Sequence, residues 1–165
     1  MTMTHIETIE LGSSAASITF SSIPQDYTDL LLLVSPRTDD VDARDNVLVQ
    51  PNNSSSNLST IVLDGYDSGN VATASLTEVR LLATSATATS NTFGSNSVYF
   101  SNYTSSAAKS MSIEAVQENN SSASYALGIQ AGLWNDTTAI TSIVLLPRTG
   151  SNLLANTTAS LFGIS

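Results

Sequence analysis

The chain is 165 residues long, with five Lys or Arg against fourteen Asp or Glu, a net charge of −9 and no cysteine. An acidic surface repels phosphate backbones, and Arg37, Arg44, Arg80, Lys109 and Arg148 are too few and too scattered to form a basic stripe, which sets nucleic-acid binding aside. Without cysteine there is no disulfide framework and no thiolate metal site, so packing and hydrogen bonding must hold together a chain whose length suits one domain.

Met1 to Glu10 holds no basic segment followed by an apolar run, and no later stretch comes near the roughly eighteen uninterrupted apolar residues of a membrane span. Neither a secretion signal nor a membrane segment is expected, and the start at Met1 leads to the expectation of a complete gene product. Residues 1–10 are expected to form an N-terminal arm or edge strand, and 11–165 a single β-sandwich domain. HIETIEL, then ASITF from Ala16 to Phe20, then the run Leu30 to Val34 between Pro24 and Pro36 predict the first three strands. The Leu30–Val34 run is apolar on both faces, as in a strand at the centre of a sandwich. Asn46–Gln50 and Leu58–Asp64 flank PNNSSSN, whose turn chemistry predicts a hairpin. Val71 to Leu82 alternates weakly, and the Ala/Thr/Ser tract through Asn91 predicts an exposed excursion, with LLATSATA the one stretch suited to a short helical turn. Ser97–Tyr103 predicts a strand with a bulge near Asn102. In KSMSIEAVQ, Met111, Ile113 and Ala115 alternate with Ser110, Ser112 and Glu114, which predicts one buried and one wet face. SYALGIQAGLW, AITSIVLLP and ASLFGI complete a count of ten or eleven strands.

Ser and Thr fill close to a third of the chain, yet 41% of residues are apolar and gathered in short clusters, which argues for a core rather than disorder. Thr is a good strand former and Ser tolerates turns. No segment sustains helical apolar spacing beyond about two turns. The expected fold is all-β: an antiparallel two-sheet β-sandwich, jelly-roll-like, with little helix.

Catalytic chemistry finds no foothold in the pattern. The single histidine, His5, lies near the start and reads as an edge-strand or exposed residue, and the common zinc ligand sets cannot be assembled. Glu7, Glu10, Glu78, Glu114 and Glu118 are numerous enough for glycoside hydrolysis, but no context singles out a pair. Phosphate loops, a nucleophile elbow and dinucleotide fingerprints are missing. The expectation is therefore a non-enzyme with no catalytic or cofactor-binding residues and no cofactor. Two acidic clusters are calcium candidates, because hard cations need several converging oxygens: Asp39, Asp40, Asp42 and Asp45 in TDDVDARD, and Asp64 and Asp67 with Asn70 in DGYDSGN. The first lacks the central Gly and closing Glu of an EF-hand loop, and for both the ordinary alternative is a solvated loop. Asn-x-Ser/Thr triplets at Asn53, Asn57, Asn102, Asn120, Asn135 and Asn156 are expected by chance in so hydroxyl-rich a chain. Of the aromatic residues Trp134, Tyr125, Tyr103, Tyr99 and Tyr66, most are expected in the core; Trp134 reads as a strand-end residue closing the sandwich, and it and Tyr66 are the candidates for stacking on a glycan.

Two stretches, LGSSAASITFSSIPQDYTDLLLLVSPRT (Leu11 to Thr38) and GLWNDTTAITSIVLLPRTGSNLLANTTASLFGI (Gly132 to Ile164), resemble the opening and closing patterns of a recurring family of small bacteriophage virion proteins of marine and aquatic phages. The shared features are a Ser/Ala-rich turn, an Ile-Pro-x-x-Tyr-Thr-x-Leu corner, Gly-Leu-Trp, Ala-Ile-x-Ser-Ile and a final Gly-Ile. Where those proteins often carry Asn-Gly-Asp after the fourth strand, this chain has Gln50-Pro51-Asn52-Asn53. The resemblance implies a virion structural protein assembled in the host cytoplasm, with no catalytic residues. Completeness at 165 residues, without the long shaft that usually precedes such a domain in a fibre, makes the leading expectation a capsid decoration (cement) protein, a homotrimer bound to the major capsid protein or another virion protein, with no nucleic-acid or membrane partner; the competing expectation is a tail-fibre or spike module recognising host surface glycans. The N-terminal arm is a plausible anchor, since an unpaired extended segment can add to a neighbour's sheet.

Overall fold

Alternation at every second residue sorts the chain into strands with one apolar face, and the structure pairs them into two sheets. The computed structural model describes residues 2–42, 44–66, 71–117, 119–120 and 126–165. Among them are twelve strands and no helix: β1 (Met3–Glu10), β2 (Ile18–Phe20), β3 (Asp29–Ser35), β4 (Arg44–Pro51), β5 (Leu58–Tyr66), β6 (Val71–Leu76), β7 (Arg80–Thr84), β8 (Gly94–Phe100), β9 (Lys109–Gln117), β10 (Ala126–Trp134), β11 (Ile143–Pro147) and β12 (Thr158–Ile164). Eight form one sheet in the order β1-β12-β3-β8-β9-β10-β5-β6, and four form the other in the order β2-β11-β4-β7. Every strand pairing is antiparallel. Only β5–β6, β8–β9 and β9–β10 are neighbours in both chain and sheet, so the other connections pass between sheets. This is the wiring of a jelly roll, with the meander β8–β9–β10 set between β3 and β5.

The core lies where the sheets face each other. Leu30, Leu32 and Val34 of β3, Val98 and Phe100 of β8, Met111 and Ile113 of β9 and Leu161 of β12 meet Ile18, Phe20, Val47, Val49, Leu81, Ile143 and Leu145 from the smaller sheet. The β3 run is only half as expected: its even positions are fully buried, whereas Leu33 on the outer face is exposed. β9 alternates as its sequence predicts. β1 stands at one end of the large sheet and pairs with β12, with a register shift between His5 and Glu7.

Three expectations are corrected. Asn46–Gln50 and Leu58–Asp64 form no hairpin, because β4 and β5 belong to different sheets. The connection between them is tied down by Asn52, whose Oδ1 accepts the N–H groups of Thr141 (2.8 Å) and Ser142 (3.1 Å) and whose Nδ2 donates to the Ala139 carbonyl (2.8 Å). The segment after Arg80 is neither excursion nor helical turn but strand β7, buried from Leu81 to Thr84. Its alternation is blurred because Leu81 and Ala83 pack into the main core while Leu82 joins Ala115 and Ala126 in a second cluster. The Ser/Thr/Ala tract that follows is pinned by the buried Arg37, whose guanidinium donates to the carbonyls of Ala88 (3.0 Å), Thr89 (2.8 Å) and Thr92 (2.9 Å). Third, β8 has no bulge at Asn102; the strand ends at Phe100, and Asn102, at φ 49°, opens a turn.

Asn is frequent because it tolerates the left-handed region that tight turns need. Asn52, Asn53, Asn57, Asn91, Asn102, Asn120 and Asn156 all have positive φ, so most of the Asn-x-Ser/Thr triplets are turn residues followed by the hydroxyl residues of a strand or loop. The stretches near the two ends of the chain also meet. The Tyr27 ring lies against Gly163, where an added Cβ would collide with it, and the Thr28 N–H donates to the Ile164 carbonyl (2.9 Å). Ile23 N–H donates to Thr141 (3.0 Å), Gln25 Nε2 to the Ile140 carbonyl (3.0 Å), and the buried Tyr103 hydroxyl to the Pro24 carbonyl.

Gly163→Ala should therefore drive a methyl into the Tyr27 ring and cost about 1–3 kcal/mol, as overpacking does; urea unfolding with an unchanged midpoint would contradict this packing.

Candidate functional site

Strand β10 reads inside out. Its inward residues are Ala126, Gly128, Gln130, Gly132 and Trp134, mostly small or polar, while Leu127, Ile129 and Leu133 point outward. β5 adds Ile61 and Leu63 and β9 adds Val116 to the same outer face. In register, Leu63 stands opposite Ile129, Ile61 opposite Ala131, and Leu127 opposite Val116, so the side chains form one patch across three adjacent strands. Exposures run from 38% for Leu133 to 68% for Ile61, with Ile129 at 56%. Glu114, opposite Ile129, places one carboxylate within it. Covering such a half-exposed aliphatic side chain contributes on the order of 1 kcal/mol, so the patch holds several kcal/mol of association free energy per copy.

On the inner face, at the Tyr66 end, β5, β6 and β10 line a cleft of about 230 Å³ together with Arg44, Asp45, Asn46 and Arg80. Small residues make the room: Gly128 faces Asp64 across the strands, and a Cβ there would strike the Asp64 carboxylate. Tyr66 Oη donates to Asp64 Oδ2 (3.3 Å), and Arg44 lies over the Tyr66 ring, 4.9 Å from its centroid. Burial pushes the Asp64 carboxyl above the usual carboxylate range, against the pull of the Tyr66 hydroxyl and of Arg80 and Arg44. Gln130 Nε2 donates to the Arg80 carbonyl (2.7 Å). Asp64 Oδ1, Gln130 Oε1 and both amide atoms of Gln117 are buried without a partner. Arg80 and Arg148 share Glu78 Oε1 at 2.5 and 2.7 Å just outside the cleft.

The acidic cluster TDDVDARD serves the backbone. Asp39 Oδ1 accepts the N–H groups of Ser151 (2.7 Å) and Asn152 (2.9 Å), and Oδ2 accepts Asn152 Nδ2 (2.7 Å). Asp45 accepts from Asn46 (2.7 Å), Thr149 (3.3 Å) and Gly150 (3.2 Å), and Asp40 from Asp42 N–H (2.7 Å). The Asp39 and Asp45 carboxylates cap the loop between β11 and β12, while Asp40 braces its own loop. Asp42 contributes its carbonyl, which accepts the hydroxyls of Ser85 and Thr87. Of the second cluster, Asp64 sits in the cleft beside Asp45, while Asp67 and Asn70 lie outside the described residues, as does Tyr125. No group of three or more carboxylate or imidazole side chains placed to hold a metal occurs among the described residues.

Trp134 is corrected as a glycan platform: it is 1% exposed and closes the end of the sandwich, with Lys109 Nζ 5.7 Å from its ring centroid. Lys109 is itself buried and donates to the carbonyls of Ala107 (2.7 Å) and Asp136 (3.1 Å). Tyr66 is half-buried in the cleft, and Tyr99 donates to Asp29 Oδ2 (2.6 Å). Glu7 and Glu10 lie on β1, Glu78 between β6 and β7, and Glu114 on the outer face, so the structure gathers none of them into a facing pair; Glu118 is outside the described residues. The outer patch and the cleft residues Arg44, Arg80 and Gln130 are not singled out by the sequence patterns above. The one sequence signal available for them is the inverted parity of β10, where Gln130 shares a face with Trp134.

Protein-family models, curated proteins and solved structures contain no match to this chain.

The backbone amide of Asn152 foremost, with its side-chain amide and the Ser151 N–H, holds the Asp39 carboxyl below its unfolded value of 3.8 despite partial burial. The stability this contributes is complete above that pH and disappears as the pH falls through the lower folded value. Asp39→Asn should lower the melting temperature at pH 7 and flatten the acid limb of its pH dependence below about pH 4; an acid limb identical to the parent's would contradict the assignment.

Proposed function

We propose that this chain is a structural subunit of a phage particle, a capsid decoration protein that associates with itself, as a trimer, through the outer face of its large sheet and sits on the shell in that form. The observation that carries the reading is the inverted strand β10. A one-residue slip in register would bury Leu127, Ile129 and Leu133. The chain instead keeps them outside, a cost in solubility unless another surface covers them. At a net charge of −9, copies repel at long range. A patch whose one charge among the described residues is Glu114 is the place where that repulsion is weakest, and its aliphatic side chains supply the attraction. A symmetric oligomer covers the same patch on every copy. The virion part of the reading comes from the likeness of Leu11–Thr38 and Gly132–Ile164 to phage virion proteins, and the proposal assigns no catalytic step.

A second reading, a receptor-binding module for host surface glycans, is favoured by a different observation, the polar cleft around Asp64 and Tyr66.

Light scattering on the purified chain should give a trimer at micromolar concentration, and Ile61→Asp with Ile129→Asp should give a folded monomer that no longer rebinds capsids stripped of the protein. An unchanged oligomer in the double variant, or a monomeric parent that adds nothing to capsid stability, would sink the proposal.

A further inference from the structure

The cleft presents an unusual set of unused hydrogen-bonding atoms. Buried polar groups in folded proteins are nearly always paired, so each exception calls for a reason. Among the described residues, four of the six such atoms lie at the Tyr66 end of the sandwich; the other two, Thr38 Oγ1 and Trp134 Nε1, lie away from it. Gln130 is 7% exposed, lines the cleft, and its Oε1 has no partner. Asp64 Oδ1 lies in the next cross-strand row, above Gly128, and is equally unpaired. Gln117, fully buried, stands in the row beyond, level with Ala126 and Tyr66, and neither its amide nitrogen nor its oxygen is used. Arg44 covers the Tyr66 ring and lines the cleft beside it.

Charge narrows the ligand. Arg44 and Arg80 face Asp45 and Asp64 around the cleft, two of each sign, so neither an anion nor a cation is favoured. The unpaired atoms are mostly acceptors, with donors at the rim. That set matches a neutral molecule whose groups both give and take hydrogen bonds, and hydroxyl groups do so. The volume, about 230 Å³, is below the range of roughly 300 Å³ and upward typical of drug-sized ligands. One ring is the scale it accepts.

We propose that this cleft binds a single neutral sugar ring, held by the side chains of Asp64, Gln130 and Arg44 that line it, with Tyr66 as its wall. The site is separate from the outer apolar face and rests on the glycan-binding reading, so it can fail while the assembly stands, or stand while the assembly fails. The arrangement also carries a stability cost. A carboxylate with a raised folded value destabilises the fold above that value, and the cost vanishes as the pH falls below the unfolded value.

The test is a nuclear magnetic resonance titration of the intact chain with the methyl glycosides of D-glucose, D-galactose and N-acetyl-D-glucosamine, and with glucosamine and glucuronate as cationic and anionic counterparts. At least one neutral glycoside should bind with a Kd on the order of 1 mM, moving the signals of Arg44, Asp64, Tyr66 and Gln130. A disaccharide carrying the same ring at its non-reducing end should bind as well if the source is a glycan chain, and more weakly than the monosaccharide if the source is free sugar. Asp64→Asn should raise the melting temperature near neutral pH while weakening sugar binding at least tenfold, two opposite shifts that a purely structural residue would not give. Gly128→Ala, which displaces the Asp64 carboxylate without removing it, should weaken binding too. The proposal is overturned by the absence of shifts at 50-fold excess over ~1 mM, by shifts confined to other surfaces, by preference for a charged sugar, or by equal affinity in both variants.

Discussion

Four strands cannot cover eight, and most of what is distinctive here follows from that inequality. The edge strand β7 of the smaller sheet packs against β8 and β9, which leaves the inner face of β10, β5 and β6 overhanging toward the Tyr66 end. Asn96 of β8 finishes the border. Its Oδ1 accepts the Leu82 N–H (2.9 Å) and its Nδ2 donates to the Leu82 carbonyl (3.0 Å), so a side chain takes the place of a fifth strand. Beyond the border an apolar inner surface would be exposed to water, and the sequence changes accordingly: Val62 and Ile113 give way to Asp64, Tyr66 and Gln117 over Gly128 and Ala126. With the inside of β10 made small and polar, its aliphatic residues fall on the outside. The cleft and the patch are two faces of one consequence.

Strands whose one face meets the small sheet were legible from residue order alone. β9 is the clearest case, because Met111, Ile113 and Ala115 meet the core while the serines between them are wet. The jelly-roll class followed from the number and spacing of such runs. β7 escaped because it is buried on both sides, so it has no alternation to read. The false β4–β5 hairpin had a different cause: PNNSSSN has turn chemistry, but turn residues specify a change of direction and not which sheet the chain then enters. The acidic cluster was visible as charge, but its use was not. The amides that Asp39 and Asp45 accept come from Thr149 to Asn152, more than a hundred residues away. The cleft was least legible, since its lining comes from β4, β5, β6, β7 and β10, each supplying residues that are unremarkable alone.

The motifs behind the resemblance now have physical roles. The Ile-Pro-x-x-Tyr corner and the closing Gly-Ile are the two halves of one contact, Tyr27 on Gly163, while Ile140 and Ile143 are core and Trp134 is sealed beneath Lys109. Asn52, at φ 50°, fastens the loop that follows β4. These residues specify packing. They would persist in any protein sharing this sandwich, whatever it binds, and the residues that differ in purpose are those on the overhang.

The account's central claim is that the overhanging strands turn an aliphatic face outward for another copy to cover. Methyl relaxation of Ile61 and Ile129 by a soluble paramagnetic agent, followed from dilute to concentrated solution, tests it most directly. The account predicts methyls open to the agent when dilute and shielded when concentrated, with the methyls of Ile113 shielded throughout. Ile61 and Ile129 methyls equally open at every concentration, or shielded even when dilute, would contradict it.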